Sequence, residues 1–253
     1  MKNIPNLFTL LNLVFGCLAI VFILQTGEDI VNFNGEEWKV YLPEKIWWGS
    51  LCIGMAAVID FLDGFVARLF KATSGMGKEL DSLADIVSFG VAPGLILYQV
   101  LRLSYMGDEN GIDTSLWTLL PAFIFPCAGA WRLARFNTSP EKPGGFRGVP
   151  IPAAGLVVAS LPLILLYNYF GLNDILLNKW VIYAIIFILS WLMVSNLPLL
   201  SIKFKNFSVK DNLPAFLLIA IAIIAAIILK WFAVPVVFIC YIAVSLAFKN
   251  KTA

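Results

Sequence analysis

The chain has 253 residues, of which 60% are hydrophobic and 13% are charged, and its formal net charge is +2. A water-soluble domain of this size could not bury so much apolar surface, so the composition excludes that class and indicates a polytopic membrane protein. There is no histidine, and the four cysteines lie far apart in apolar runs. Zinc, haem and histidine-dependent catalysis are therefore excluded or disfavoured. The small net charge gives no reason to expect a nucleic-acid partner.

The hydropathy pattern predicts an all-α bundle of about eight transmembrane helices. We expect the first apolar stretch to be a retained helix, because no convincing signal-peptide cleavage site follows it. The last stretch, 214–248, is too long for one span, and Lys230 and Pro235 near its middle predict two short helices. The other stretches that are long enough to span lie at 7–25, 46–68, 82–103, 115–135, 151–170 and 179–200.

The distribution of the basic residues predicts the orientation of these helices. Lysine and arginine accumulate in cytoplasmic loops. With the N-terminus inside, most of the 18 basic residues fall on the inner side. We therefore expect the protein to lie in the inner (cytoplasmic) cell membrane. Both termini and residues 60–85 would be on its cytoplasmic side. The exceptions on the outer side would be Lys39, Lys45, Arg102, Lys179 and Lys230.

Four aspartates stand between residues 60 and 85. Asp60 and Asp63 are three apart and Asp81 and Asp85 are four apart, so each pair shares one face of a helix. Carboxylates crowded near a bilayer repel one another, and divalent cations neutralise them; oxygen ligands favour Mg, Mn or Ca. Four carboxylates predict a site for two metal ions, as is common for transfer at phosphorus. The alternative is a set of surface charges at helix ends.

The residues between the two aspartate pairs are suited to a bulky ligand. Gly64 and Ala67 are small, which allows either close ligand approach or close helix packing. Arg68 follows Asp60 by two helical turns and can bind a phosphate or carboxylate through paired hydrogen bonds, or serve as a cytoplasmic anchor. Residues 74–77, Ser-Gly-Met-Gly, predict a flexible turn.

The CDP-alcohol phosphotransferases share a signature that this chain resembles at each fixed position. It is Asp60-x2-Asp63-Gly64-x2-Ala67-Arg68-x8-Gly77-x3-Asp81-x3-Asp85. The resemblance implies a six-helix core, here residues 1–200, followed by an additional helix pair in residues 201–253, and it implies a homodimer.

The resemblance also implies roles for these residues. Two divalent ions, Mg or Mn, would offset the charge of a CDP-activated lipid and of the leaving CMP. The family assigns the general base to Asp85, whereas the sequence alone does not choose among the four carboxylates. The metal ligands would be Asp60, Asp63, Asp81 and Asp85. The CDP moiety would contact Gly64, Arg68 and Ser74, with Ala67 and Gly77 leaving room for it.

Further stretches resemble the integral-membrane phosphatidylserine synthases within this family. The resemblance implies transfer of a phosphatidyl group from CDP-diacylglycerol to the hydroxyl of L-serine, with release of CMP. The alternative acceptors are glycerol 3-phosphate, inositol and inositol phosphate. The stretches are IPNLFTLLN, DSLADIVSFGVAPG, WRLARFN and GFRGVPIPAAG.

Three arginines are candidates for binding the acceptor, because an arginine fork suits the carboxylate of serine better than it suits a polyol. They are Arg132, Arg135 and Arg147, all on the expected cytoplasmic side. Arg135 is the first choice, since Asn137 follows it at the start of a polar loop.

Polar residues also recur on the first helix, where Asn6, Thr9 and Asn12 are spaced to share a face. They either line the nucleotide site or pack against neighbouring helices through hydrogen bonds. A cation transporter is the alternative from another class, and it would need carboxylates at midplane depth and broken helices.

Overall fold

A computed structural model of the chain describes residues 4–33, 36–69, 75–106, 114–138, 146–199 and 213–247. The described chain is a helical bundle, and the predicted membrane class is confirmed. Two short apolar helices, Ile151–Tyr167 and Lys179–Val194, accompany the longer ones. Within these described residues, five helical stretches are long and apolar enough to cross a membrane: Pro5–Leu24, Ile46–Val66, Gly75–Tyr105, Leu116–Thr138 and Phe216–Ala247.

The first half of the chain supplies the two helices that carry the aspartates. Helix α1 (Ile4–Leu24) is followed by an antiparallel hairpin of β1 (Gly27–Phe33) and β2 (Glu36–Leu42), in which Gly27 pairs with Leu42. Sequence analysis did not predict this hairpin, although Asn-Gly stands between its strands and is the strongest short signal for one. The helices that follow are α2 (Ile46–Leu69), α3 (Gly75–Asp85), a π-helical segment (Ile86–Val91) and α4 (Ala92–Tyr105).

The second half of the chain supplies the remaining described helices and a second pair of strands. Its elements are α5 (Leu116–Leu119), a 3₁₀ turn (Leu120–Phe123), α6 (Ile124–Thr138), β3 (Phe146–Arg147), α7 (Ile151–Tyr167), α8 (Asn173–Leu176), α9 (Lys179–Val194), β4 (Pro198–Leu199), α10 (Leu213–Leu229), a second 3₁₀ turn (Lys230–Phe232) and α11 (Ala233–Ala247).

The last apolar stretch turns back on itself. Helices α10 and α11 pack against each other, which consecutive parts of one straight helix could not do. Lys230 lies between them with a positive φ of 52°. The chain therefore reverses direction there, as the positions of Lys230 and Pro235 predict.

The third helix begins earlier than hydropathy predicts. Its apolar part was expected at 82–103, and Gly75–Gly77 were expected to form a turn, whereas α3 begins at Gly75. Hydropathy reports the length of the apolar segment, and a helix can extend beyond it as a polar, partly solvated turn. Ser74 lies outside the described residues.

The core lies along the π-helical segment and α4, which contact α1, α6 and α7. Phe89, Ile96, Leu97 and Leu101 are fully buried there. By contrast, large apolar side chains on the outer surfaces of α1, α2 and α10 are exposed, as expected for surfaces that face lipid.

A second antiparallel pair joins β3 to β4, with Phe146 opposite Leu199. It ends at Gly148, whose φ is +74°. A Cβ there would lie 2.5 Å from the carbonyl oxygen of Met193 and 2.8 Å from that of Ser195. Only glycine fits this close approach to the C-terminal end of α9.

Gly148→Ala is expected to destabilise the protein by about 3 kcal/mol or more, because it adds a backbone clash to an unfavourable φ. Gly171→Ala is the matched control, since its φ is +64° and nothing lies within 4 Å of its Cβ position. The control should cost roughly 1–2 kcal/mol. Thermal unfolding in detergent measures both, and equal losses would contradict the clash.

Candidate active site

Three carboxylates from two helices meet in the bundle. Asp60 lies on α2, whereas Asp81 and Asp85 lie on α3, and one ligand oxygen from each lies within 4.8 Å of the others. We refer to these residues as the carboxylate cluster. Asp85 is 7% exposed, and the other two are half-buried. The predicted meeting of the two aspartate pairs therefore holds for these three residues.

Asp63 stands beside the cluster and is held by the first helix. Its side chain is buried, and its Oδ2 accepts a hydrogen bond from the hydroxyl of Thr9. Its Oδ1 is buried with no hydrogen-bond partner in the described part of the chain. Asp63 is close enough to Asp60 and Asp81 for their charges to repel.

The first helix also reaches Asp85. The side-chain amide of Asn12 donates a hydrogen bond of 3.4 Å to Asp85 Oδ1, and Asn12 itself is fully buried. Thr9 and Asn12 therefore lie at the site and make the hydrogen bonds to neighbouring helices that their spacing predicts. Asn6 is only half-buried, one position away from the buried residue Pro5.

This donor set fits hard divalent cations. Every ligand atom of the cluster is a carboxylate oxygen, the type that Mg²⁺ and Mn²⁺ prefer. The unpartnered Oδ1 of Asp63 is a further buried acceptor beside it. Asp60, Asp81 and Asp85 could hold such an ion, and Asp63 could complete a second position.

The structure describes only some of the residues that were expected to contact the nucleotide. Gly64 is exposed, and nothing lies within 4 Å of the position that a Cβ would take there. This open space favours room for a ligand over close helix packing at Gly64. Gly77 is half-buried in the first turn of α3. Ala67 and Arg68 lie at the end of α2, where only the backbone is described, and Ser74 is outside the described residues.

The three candidate arginines lie in different surroundings. Arg132 on α6 is 6% exposed and close enough to Asp85 for their charges to attract. Its Nε is buried without a hydrogen-bond partner among the described atoms, and its guanidinium carbon lies 6.0 Å from the centre of the Phe136 ring. Arg147 is in β3, opposite Pro198, and only its backbone is described.

Arg135, the first choice from sequence, instead binds the C-terminal end of α9. Its guanidinium donates to the carbonyl oxygens of Val194 at 2.9 Å and Ser195 at 3.1 Å, and to Asn196 Oδ1 at 3.3 Å. These groups satisfy a helix end rather than face the carboxylate cluster. Sequence spacing could not reveal these partners of Arg135, because they come from a distant part of the chain.

Sequence analysis missed two serines at the site. Ser82 accepts a hydrogen bond of 2.9 Å from the Asn137 amide, which connects α3 with α6. Ser88 donates to the backbone carbonyl of Asn12 at 3.1 Å. Their signal was their spacing from the aspartates, one residue after Asp81 and three after Asp85.

Comparison with known proteins agrees with this arrangement. A family model described as CDP-alcohol phosphatidyltransferase matches residues 2–195. A CDP-diacylglycerol–serine O-phosphatidyltransferase from Helicobacter pylori is 36% identical over 221 residues, covering 86% of this chain and 78% of the relative. Proteins of the same name from Bacillus subtilis and Methanocaldococcus jannaschii are 32% and 34% identical. They cover 71% and 69% of this chain, and 89% and 66% of their own lengths.

The fold and the site define an integral membrane protein with a carboxylate cluster at the meeting of two helices. The family match extends over most of the chain, so the chain belongs to the CDP-alcohol phosphatidyltransferase family, a family of phosphotransferases. The resemblance noted from the signature is thereby confirmed, and no observation favours the cation-transporter alternative.

Asp60→Asn is expected to weaken Mn²⁺ binding by on the order of 100-fold, because it removes a charged ligand oxygen from the cluster. Electron paramagnetic resonance of free Mn²⁺ during titration of the purified protein measures this affinity. Asp174→Asn, an exposed aspartate in α8, is the control and should bind Mn²⁺ like the wild type. Equal affinity in all three proteins would show that the cluster is not a metal site.

Proposed function

We propose that the protein transfers the phosphatidyl group of CDP-diacylglycerol to the hydroxyl of L-serine and releases CMP. The carboxylate cluster is the observation that carries this proposal, and the printed names of the relatives support serine as the acceptor. Two divalent ions, Mg or Mn, would be held by Asp60, Asp63, Asp81 and Asp85. When bound, they would neutralise the pyrophosphate and the negative charge that develops on CMP.

The reaction joins the serine hydroxyl oxygen to the phosphorus that carries diacylglycerol. The bond from that phosphorus to the bridging oxygen breaks, and CMP leaves with its electron pair. The serine hydroxyl loses its proton during attack, and we assign its acceptance to Asp85. Burial of Asp85 and its hydrogen bond from Asn12 fix the direction of this carboxylate, which supports a role in proton transfer.

The CDP moiety would bind beside Gly64 on α2, next to the carboxylate cluster. The open space at Gly64 supports this location. Arg68 would bind phosphate oxygens through paired hydrogen bonds. The remaining contacts in this part of the proposal are Ala67, Ser74, Gly77, Asn6 and Thr9.

Among the candidate arginines, Arg132 is best suited to bind the carboxylate of serine. It is buried beside Asp85, and its Nε has no hydrogen-bond partner among the described residues. A buried guanidinium with an unused donor favours an anionic group within reach of the base. Arg135 and Arg147 would contribute at the edge of this subsite, Arg135 through its bonds to the end of α9.

The membrane arrangement is part of the same proposal. The five long stretches, the two shorter apolar helices and the reversal between α10 and α11 together support eight spans. The excess of basic residues on one side supports cytoplasmic termini and a cytoplasmic active site in the cell's inner membrane. The six-helix core would be residues 1–200 and the additional pair residues 201–253. A homodimer is proposed from the family resemblance alone.

CMP release from CDP-diacylglycerol by the purified protein tests the reaction. We expect release with serine and Mn²⁺ or Mg²⁺, and none with a chelator or without an acceptor. Asp85→Asn should lower kcat by about 10²–10⁴-fold, because it removes the base while keeping the side-chain shape. Release with inositol, inositol phosphate or glycerol 3-phosphate, but not with serine, would show that the acceptor is that other alcohol. No release under any of these conditions would overturn the proposal.

Arg132→Lys is expected to raise the KM for serine by about tenfold or more and to leave the KM for CDP-diacylglycerol unchanged, because lysine cannot reproduce the paired guanidinium bonds. Arg135→Lys is the comparison, and we expect it to change the KM for serine less. Initial rates at varied serine and fixed CDP-diacylglycerol separate the two. A larger effect from Arg135→Lys would make Arg135 the main contact.

A further inference from the structure

The helix that carries Asp85 changes its winding immediately after that residue. Residues Ile86–Val91 are π-helical, and the N–H of Ala92 bonds to the carbonyl of Val87, five residues back. Pro93 accounts for part of this change, because it has no N–H and its ring would clash with the Phe89 carbonyl in a regular α-helix. Short π-helical segments are rare and are frequent at functional sites.

Helix α1 packs closely against this segment at Gly16. A Cβ on Gly16 would lie 2.3 Å from Ser88 Oγ and 2.9 Å from Ser88 Cα. Ser88 Oγ donates to the backbone carbonyl of Asn12, and the Asn12 amide donates to Asp85. These bonds form a closed path from the carboxylate through α1 and back to its own helix.

Helix α7 contacts the same segment at the next residue, Phe89. A Cβ on Gly155 would lie 2.8 Å from the carbonyl oxygen of Phe89 and 3.1 Å from its Cα. This is the carbonyl for which Pro93 offers no N–H. Because these neighbours are backbone atoms, a larger residue at position 155 could be accommodated only by moving α7 or the π-helical segment.

We propose that Gly16 and Gly155 are positioning residues that hold the π-helical segment Ile86–Val91 between α1 and α7, and thereby fix the Asp85 carboxylate. Asp85 directly precedes the segment, so a displacement of the segment moves Asp85 relative to Asp60 and Asp81. The expected effect of this displacement on turnover rests on the proposed function. Its expected effect on metal binding rests on the geometry of the carboxylate cluster alone.

The first test compares glycine-to-alanine variants. Gly16→Ala and Gly155→Ala should each lower kcat by about 10–100-fold, with the KM for serine and CDP-diacylglycerol little changed, because a shift of about 1 Å can cost this much. Mn²⁺ affinity should fall by about tenfold. Gly54→Ala on α2 is the matched control, since nothing lies within 4 Å of its Cβ position. It should remain within about twofold of the wild type in kcat and Mn²⁺ affinity.

The second test adds no atoms, so it does not depend on tolerance of a clash. Ser88→Ala removes the hydroxyl that bonds to the Asn12 carbonyl, and we expect kcat and Mn²⁺ affinity each to fall by about three- to tenfold. Ser160→Ala is the control, because its buried hydroxyl bonds to the Val157 carbonyl within α7. It should leave both quantities unchanged.

Thermal unfolding and size-exclusion profiles identify the variants that fold. If Gly16→Ala does not fold, Ser88→Ala decides the matter. Folded variants with wild-type kcat and Mn²⁺ affinity would overturn the positioning role, and so would a wild-type Ser88→Ala. If the wild-type protein binds Mn²⁺ but releases no CMP with any acceptor, the proposed function fails and the Mn²⁺ affinities alone judge the positioning role.

Discussion

Repulsion among the clustered carboxylates is the constraint on which the rest of this structure depends. Two ionised carboxylates 4.8 Å apart repel by about 3 kcal/mol when the effective dielectric constant is near 20. The cluster brings three together, and Asp63 adds a fourth nearby. Freely rotating side chains would separate. Here Asp63 and Asp85, the two most buried, accept hydrogen bonds from α1, so the first helix holds these two carboxylates beside Asp60 and Asp81.

The first helix can do this because one of its faces changes character along its length. Buried residues recur every three or four positions on it: Pro5, Thr9, Asn12, Gly16, Ala19 and Ile23. Thr9 and Asn12 are polar and bond to aspartates, Gly16 allows backbone contact, and the last two are apolar core. Lipid supplies no hydrophobic force between helices, so hydrogen bonds and small residues must provide the association. The same face therefore builds the bundle and orients the site.

Much of this arrangement could be predicted from sequence, since membrane spans follow from apolar length and aspartate spacing from helical periodicity. The π-helical segment could not, because hydropathy does not distinguish α from π winding; Pro93 was its only local signal. The sequence also favoured Arg135 over Arg132 as the acceptor contact, because Asn137 follows it, although both arginines lie in the same helix α6. Their roles separate only through residues nearly 50 or more positions away, Asp85 for Arg132 and Val194 for Arg135. Periodicity carries no such information.

The bonds of Arg135 join the C-terminal end of α9 to a helix that also contacts α3, which carries two residues of the carboxylate cluster. The last carbonyls of α9 have no partner within their own helix. Arg135 binds those of Val194 and Ser195, while the N–H of Val149 binds that of Leu192 at 3.1 Å. Two residues further along α6, the Asn137 amide donates to Ser82, next to Asp81. Polar contacts thus tie α9 to α6 and to the residues that precede α7, and tie α6 to α3. A displacement of the C-terminal end of α9 should therefore alter the positions of the carboxylates through α6, rather than through the apolar core.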